Sequence, residues 1–227
     1  MENPFQAEIC STSDGSHTLK LVNYNEQYHS LNGALTESIH VFIKSGLLYL
    51  EQVPEKVNIL EVGLGTGLNA LLTAQKTTDR LSQVFYHALE PYPLEKNIIA
   101  RLNYCKFIDG DWVAEIFEGI HSLGDVGYKR LMERFYIRVS KEKVSDVLLE
   151  EKFYHLIYFD AFSPEIQAEL WTQDVFEKIF CSMVAGGILV TYCSKGSVRR
   201  AMVAAGFKVE KLPGPHLKRE ITRAIKL

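Results

Sequence analysis

Val57-Asn58-Ile59-Leu60-Glu61-Val62-Gly63-Leu64-Gly65-Thr66-Gly67-Leu68-Asn69 passes from an apolar run through a glycine-spaced loop into a helical pattern. The run 57–62 has the length and content of a buried strand. Gly63, Gly65 and Gly67 let the backbone turn sharply and let a ligand approach it closely. A helix opening at Leu68 aims its first amides at whatever sits in the loop. The next apolar run, 84–89, ends on Glu90-Pro91. A carboxylate at that strand end is placed to accept both hydroxyls of a ribose.

Two nucleotide ligands compete for this pattern. The dinucleotide fingerprint is G-x-G-x-x-G; here the third glycine comes one residue early, and Glu61 precedes the loop. S-adenosylmethionine (SAM) carries an amino acid and a sulfonium in place of a pyrophosphate. The acid-x-G-x-G-x-G spacing suits SAM better; a dinucleotide site and a bare tight turn remain the alternatives. The candidate cofactor residues are Glu61, Gly63, Gly65, Gly67, Asn69, Glu90 and Pro91.

Outward from this loop, strand and helix alternate. The patterns predict helices over 68–75 and 94–102 and near 113–123, a strand over 135–139, a helix over 144–151, and the strongest strand over 154–159. Then follow a helix over 172–183, a Gly186-Gly187 turn, a strand over 188–192, a helix over 197–205 capped by Gly206, and strands over 207–212 and 220–225. Upstream, 7–10 and 18–22 read as a hairpin and 35–50 as a helix. The alternation predicts an α/β, Rossmann-like fold with a mostly parallel sheet. The last two strands are joined too closely for a parallel crossover and must pair antiparallel. That is the outline of the class I SAM-dependent methyltransferase fold. Residues 1–50 are expected to form an N-terminal extension packed on a methyltransferase domain at 51–227.

The 227 residues, 47% hydrophobic and 23% charged, suit one large α/β domain or two small ones. There is no secretory pattern at the start, and no apolar run approaches the ~20 residues of a membrane span. Cys10, Cys105, Cys181 and Cys193 form no C-x-x-C pair and read as reduced thiols, with no zinc site and a cytoplasmic location expected. The net charge of −3 is uneven: residues 195–227 hold nine Lys/Arg against two Asp/Glu, a local +7, leaving −10 on the rest. A basic C-terminal stretch on an acidic body is a candidate polyanion-facing surface. Scattered solvated charges are the plainer reading.

Asp160 closes the strongest strand and opens Asp160-Ala161-Phe162-Ser163-Pro164. Ligands in open α/β sheets sit at the carboxyl ends of the strands, so Asp160 can face both cofactor and substrate. It could also simply cap the turn.

Taken together, Tyr28-His29-Ser30, the segments 33–43 and 61–69, Glu90-Pro91-Tyr92-Pro93, Phe159–Pro164, Glu169-Leu170-Trp171-Thr172, 191–200 and 214–220 resemble one family. It is the methyltransferase domain of the bifunctional tRNA 5-methylaminomethyl-2-thiouridine biosynthesis proteins, the MnmC type. The resemblance covers nearly the whole chain. It implies SAM-dependent N-methylation of 5-aminomethyl(-2-thio)uridine at wobble position 34 of tRNA. Ending at Leu227, the chain resembles a form without the FAD oxidase domain, needing neither flavin nor metal. The resemblance implies Asp160 as the catalytic, cofactor-facing acid. Tyr28, Glu37, Phe162, Ser163 and Pro164 would lie around the substrate base, and Lys195, Arg199, Arg200, Lys218 and Arg219 would meet tRNA phosphates. One departure concerns the adenine side: Val139-Ser140-Lys141-Glu142-Lys143-Val144 lacks the family's Gly-Asp, which leaves Glu142 as the substitute acid. The competing enzyme readings are a methyltransferase acting on another amine and a spermidine-synthase-like aminopropyltransferase. A SAM-fold module that only binds tRNA is the non-catalytic one.

Overall fold

The computed structural model describes residues 4–50, 54–78, 82–122, 124, 127–215 and 220–227. A hairpin of β1 (Ala7–Ser11) and β2 (His17–Leu21) comes first. Helix α1 (Ala34–Ser38) runs directly into a π-helical turn at Ile39–Lys44. Then follow β3 (Lys56–Val62), α2 (Leu68–Thr77), β4 (Gln83–Leu89), the short α3 (Lys96–Ile99), α4 (Val113–Ser122), β5 (Lys129–Met132) and β6 (Phe135–Ser140). The chain ends with β7 (Tyr154–Phe159), α5 (Gln173–Ser182), β8 (Met183–Thr191), α6 (Gly196–Ala204), β9 (Lys208–Pro213) and β10 (Glu220–Ile225).

The main sheet has the order β5-β6-β4-β3-β7-β8-β10-β9. Strands β6, β4, β3, β7 and β8 are parallel, whereas β10 runs antiparallel to both β8 and β9. The predicted α/β class and its closing antiparallel hairpin are therefore present. Strand side chains alternate between two cores. Ile59, Leu156 and Tyr158 pack on one face with α2, α4 and Phe42 of the π-helical turn. Leu60, Ile157 and Phe159 pack on the other with α5 and α6. Leu19, Ala34 and Phe42 share the first core with Ile59, so hairpin and first helix are buried against the sheet.

Four local expectations differ. No helix forms over 144–151; those residues make turns, and Leu148 is 96% exposed. Val144 and Val147 still reach the second core, with Leu149 packed against it, but from turns rather than from one face of a helix. The helix predicted over 94–102 shortens to α3 with a 3₁₀ turn at Tyr104–Lys106. The 35–50 helix is interrupted beyond Lys44 before a 3₁₀ turn at Leu47–Tyr49. Gly186-Gly187 lies inside β8, where the register against β7 shifts, because Gly186 adopts φ +76°. Edge strand β5 had no alternating signal to announce it.

Register places the site. Val62 pairs with Leu89 on one side and Phe159 on the other, so three strands end level. Gly63 N donates to Leu89 O (3.0 Å) and Asp160 N to Val62 O (2.9 Å). Gly63, Glu90 and Asp160 thus leave the sheet side by side.

Candidate active site

The glycine loop is held in a shape that side chains resist. Gly63, Gly65 and Gly67 have φ of +90°, +50° and +74°. A Cβ on Gly63 would meet Asp160 O at 2.7 Å, and one on Gly65 would meet the Tyr28 ring at 3.0 Å. His121 of α4 braces the loop from behind: its Nε2 donates to Thr66 O (3.0 Å). Burial lowers the His121 pKa to about 4, so the ring is neutral at physiological pH and keeps that single donor role.

Three acids converge on the loop. Glu90 Oε2 accepts Gly65 N–H (2.8 Å) and Oε1 accepts Tyr92 N–H (3.0 Å), which leaves each oxygen a second lone pair. Burial raises its pKa, and the two amides partly offset that. Glu61 has no solvent exposure. Asn69, on the first turn of α2, spends both Nδ2 hydrogens on carboxylates: Glu61 Oε1 (3.0 Å) and Asp160 Oδ2 (2.8 Å). Burial, then the nearby Asp160, hold the Glu61 carboxyl well above the usual range. The Tyr86 hydroxyl is close enough to favour its charge but misses hydrogen-bond geometry.

Asp160-Ala161-Phe162 is clamped by side chains from three later segments. Tyr192 hydroxyl donates to Ala161 O (2.9 Å), Trp171 Nε1 donates to Phe162 O (2.8 Å), and Gln167 Oε1 accepts Phe162 N–H (3.0 Å). Burial and Asp160 raise the Tyr192 pKa, so its phenol stays protonated. Tyr28 meets Phe162 edge-on with centroids 4.9 Å apart, and burial with Glu90 keeps its hydroxyl protonated too.

One cleft is lined by Tyr28, Gly63, Gly65, Glu90, Pro91, Asp160 and Phe162, all singled out from sequence. Glu142 lines it as well, beside Val144. Glu61, Gly67 and Asn69 stand behind it. Glu37 is buried, its Oε2 accepting Ser30 N–H (2.8 Å). Ser163 O caps the turn after Phe162 by accepting the Ile166 and Gln167 amides, and Pro164 follows it, half-buried. Lys195, Arg199 and Arg200 lie apart from the cleft. Lys195 is ion-paired to Glu165. Arg199 is turned into the fold, bonding Glu220 (2.7 Å), Thr222 Oγ1 (3.0 Å) and Ile221 O (3.3 Å). Arg200 is exposed, beside Val203 and Lys211. Lys218 and Arg219 lie outside the described residues. Sequence reading gave no role to Phe5, Gln167, Trp171 or Tyr192; the last three act through contacts that no local pattern announces.

The chemistry of the donors distinguishes the two nucleotide readings. Glu61, Glu90 and Asp160 favour a ligand with positive charge and disfavour a pyrophosphate. Thr66 Oγ1, Asn69 Oδ1 and Glu61 Oε2 are buried without a hydrogen-bond partner in the protein, as expected where a polar ligand or water completes them. SAM, with an ammonium, a sulfonium and a ribose, fits this set. Among the described residues no group of three or more His, Cys, Asp or Glu could hold a metal, and no helix is long and apolar enough to cross a membrane.

Strand order and site together define a class I SAM-dependent methyltransferase, with SAM as its cofactor. A family model described as S-adenosyl-L-methionine-dependent methyltransferase matches residues 116–227. The bifunctional MnmC protein of Cupriavidus metallidurans is 30% identical over 96% of this chain, and that of Burkholderia multivorans 28% over 92%. The chain spans about a third of the length of these relatives (34% and 33%). The crystal structure of MnmC2 from Aquifex aeolicus superposes with a TM-score of 0.77 at 28% identity, covering 99% of this chain and 72% of that one. Spermidine synthase from Thermotoga maritima, at 10% identity and a TM-score of 0.58, shares the fold alone. In fold the chain is a SAM-dependent methyltransferase, and in sequence and fold it is similar to the MnmC proteins over about a third of their length.

Proposed function

We propose that this protein transfers a methyl group from SAM to the primary amine of 5-aminomethyl(-2-thio)uridine at the tRNA wobble position. The observation that carries the reading is Asp160, fixed by Asn69 at the joint between glycine loop and cleft and followed closely by Phe162. The MnmC relatives, whose name specifies 5-methylaminomethyl-2-thiouridine biosynthesis, supply the substrate class.

In this reading Glu90 holds the ribose, while Pro91, Glu142 and Val144 flank the adenine side. The loop at Gly63–Gly67 holds the amino-acid end, with Glu61 and Asn69 behind it supplying negative potential and fixing Asp160. SAM supplies a methyl group on a sulfonium, already a good leaving group. The amine must attack as the free base, because an ammonium has no lone pair, and a simple alkylamine titrates near ~10. Asp160 accepts a hydrogen bond from the amine and takes its proton directly or through water as the N–C bond forms and the C–S bond breaks. Tyr28 can accept or donate a further bond at the same nitrogen. Alignment of amine, methyl and sulfur is the larger contribution, worth up to ~7–11 kcal/mol in favourable cases. Phe162 and Pro164 wall the base, which is reached from a loop rather than a helix. Arg200, Lys218 and Arg219 meet phosphates. The methyltransferase unit is residues 51–227, the first fifty residues form an extension on it, and the setting is cytoplasmic.

The test is mass analysis of wobble nucleosides after incubation of the protein with SAM and tRNA bearing 5-aminomethyluridine. A gain of one methyl on that nucleoside is expected. Asp160→Asn should lower turnover roughly 100-fold or more while leaving S-adenosylhomocysteine binding intact. Methylation of free amines with no dependence on tRNA would overturn the substrate.

A further inference from the structure

Five aromatic rings gather at the mouth of the cleft from separate parts of the chain. Pairing of Ala7 with Leu21, extended by Val22 N–H donating to Gln6 O (2.9 Å), brings Phe5 and Tyr24 together at the open end of the β1–β2 hairpin. Tyr28 follows that hairpin, Tyr92 follows Glu90, and Phe162 follows Asp160. Phe5 is the hub: its centroid lies 5.0 Å from Phe162, 5.8 Å from Tyr92 and 6.4 Å from Tyr24. The interplanar angles are 55°, 78° and 57°, so Phe5 meets each of these three rings tilted or edge-on rather than flat. Phe5, Tyr24, Tyr92 and Phe162 belong to neither hydrophobic core, and Tyr24 is 45% exposed. Aromatic rings packed on one another beside Asp160, outside both cores and with Phe5, Tyr28, Tyr92 and Phe162 lining the cleft, point to a flat ligand.

We propose that Phe5 is a specificity-determining residue that stacks on the pyrimidine ring of the substrate nucleoside, completing with Phe162 the wall that holds the base over Asp160. This rests on the nucleoside substrate proposed above. Unpaired bases are held by stacking on aromatic side chains, and the stacking partner here is delivered by the N-terminal extension. The extension thereby becomes part of the substrate site as well as a packed layer.

The variants Phe5→Ala, Phe5→Leu and Phe5→Trp test this in the full chain. Loss of a base–aromatic stack should raise the KM for aminomethyl-tRNA roughly 10-fold or more in Phe5→Ala. Phe5→Leu, apolar but without a π face, should stay impaired, and Phe5→Trp should recover. S-adenosylhomocysteine affinity by calorimetry should be unchanged throughout. A second readout needs no turnover: uridine monophosphate should quench the indole introduced in Phe5→Trp beyond any quenching of wild type. Quenching without tRNA methylation by wild type would sink the assigned reaction but keep the base site. An unchanged KM in Phe5→Ala, full recovery in Phe5→Leu, or weakened S-adenosylhomocysteine binding would overturn the proposal; the last would assign the stack to adenine.

Discussion

Glu61 is the most constrained residue in the site. It has no exposure, it shares the Asn69 amide with Asp160, and burial followed by the charge of Asp160 raises its pKa well above the ordinary 4.5. A carboxyl with a raised folded-state pKa contributes stability that is complete below its unfolded value and lost as pH rises through the folded one. The free protein should therefore lose stability through Glu61 as pH climbs above ~4.5, and a cationic ligand should restore it. Melting temperatures from pH 5 to 8 should show Glu61→Gln gaining on wild type with rising pH in the absence of SAM, and the gap should narrow or reverse with SAM bound. Parallel curves for the two proteins would refute the coupling. Burial lowers His29, His87 and His121 to about 4, which acts the other way, costing stability as pH falls from 6.5; that background is common to both proteins and cancels in the difference.

At the level of elements, the segment Glu169-Leu170-Trp171-Thr172 shows a motif whose work is indirect. Trp171 hydrogen-bonds Phe162 O, and Thr172 caps α5, its hydroxyl accepting Val175 N–H (3.4 Å). Together they connect the start of α5 to the backbone next to Asp160. Thr172→Ala should cost about 1 kcal/mol through the lost cap, seen as a melting temperature lower by roughly 2–4 °C for a chain of this size. A fall in turnover larger than the fall in folded fraction would show that the cap also steadies the Asp160 loop. The π-helical turn at Ile39–Lys44 plays a comparably hidden part, burying Val41, Phe42 and Ile43 against the sheet while α1 starts beneath the hairpin.

Over the whole molecule, part of the local +7 of residues 195–227 is taken up by contacts within the protein. Arg223 pairs with Glu210 and covers the Tyr49 ring, Lys226 donates to Phe180 O and Met183 O, and Arg199 and Lys195 have carboxylate partners. Arg199 and Arg200, adjacent in sequence, therefore separate in role. Arg199→Ala should lower the melting temperature because it removes three bonds between α6 and β10. Arg200→Ala with Lys218→Ala and Arg219→Ala should leave stability intact but flatten the dependence of tRNA affinity on salt, by roughly 0.7–0.9 in log–log slope for each phosphate that is no longer engaged. Filter binding across a salt series checks this, and an unchanged slope would mean that the RNA docks elsewhere.

The parts legible in the amino-acid order were those with a local cause. The strand at 57–62, the glycine spacing, the acid ending β4 and Asp160 ending β7 each follow from a short pattern, and parallel register then brings them together. The closing antiparallel hairpin followed from loop length alone. What stayed hidden depended on contacts between distant segments. Asn69 and Asp160 are 91 positions apart, and their bond exists only because Val62 and Phe159 end level in the sheet. Periodicity over 144–151 read as a helix because apolar spacing reports that side chains are buried, as Val144 and Val147 are, and not that the backbone between them is helical. Whether an arginine faces solvent or a glutamate, and whether Phe5 reaches the cleft, was decided by how hairpin, helix and strand ends pack, since charge and aromaticity are properties of a residue while partners are properties of the fold.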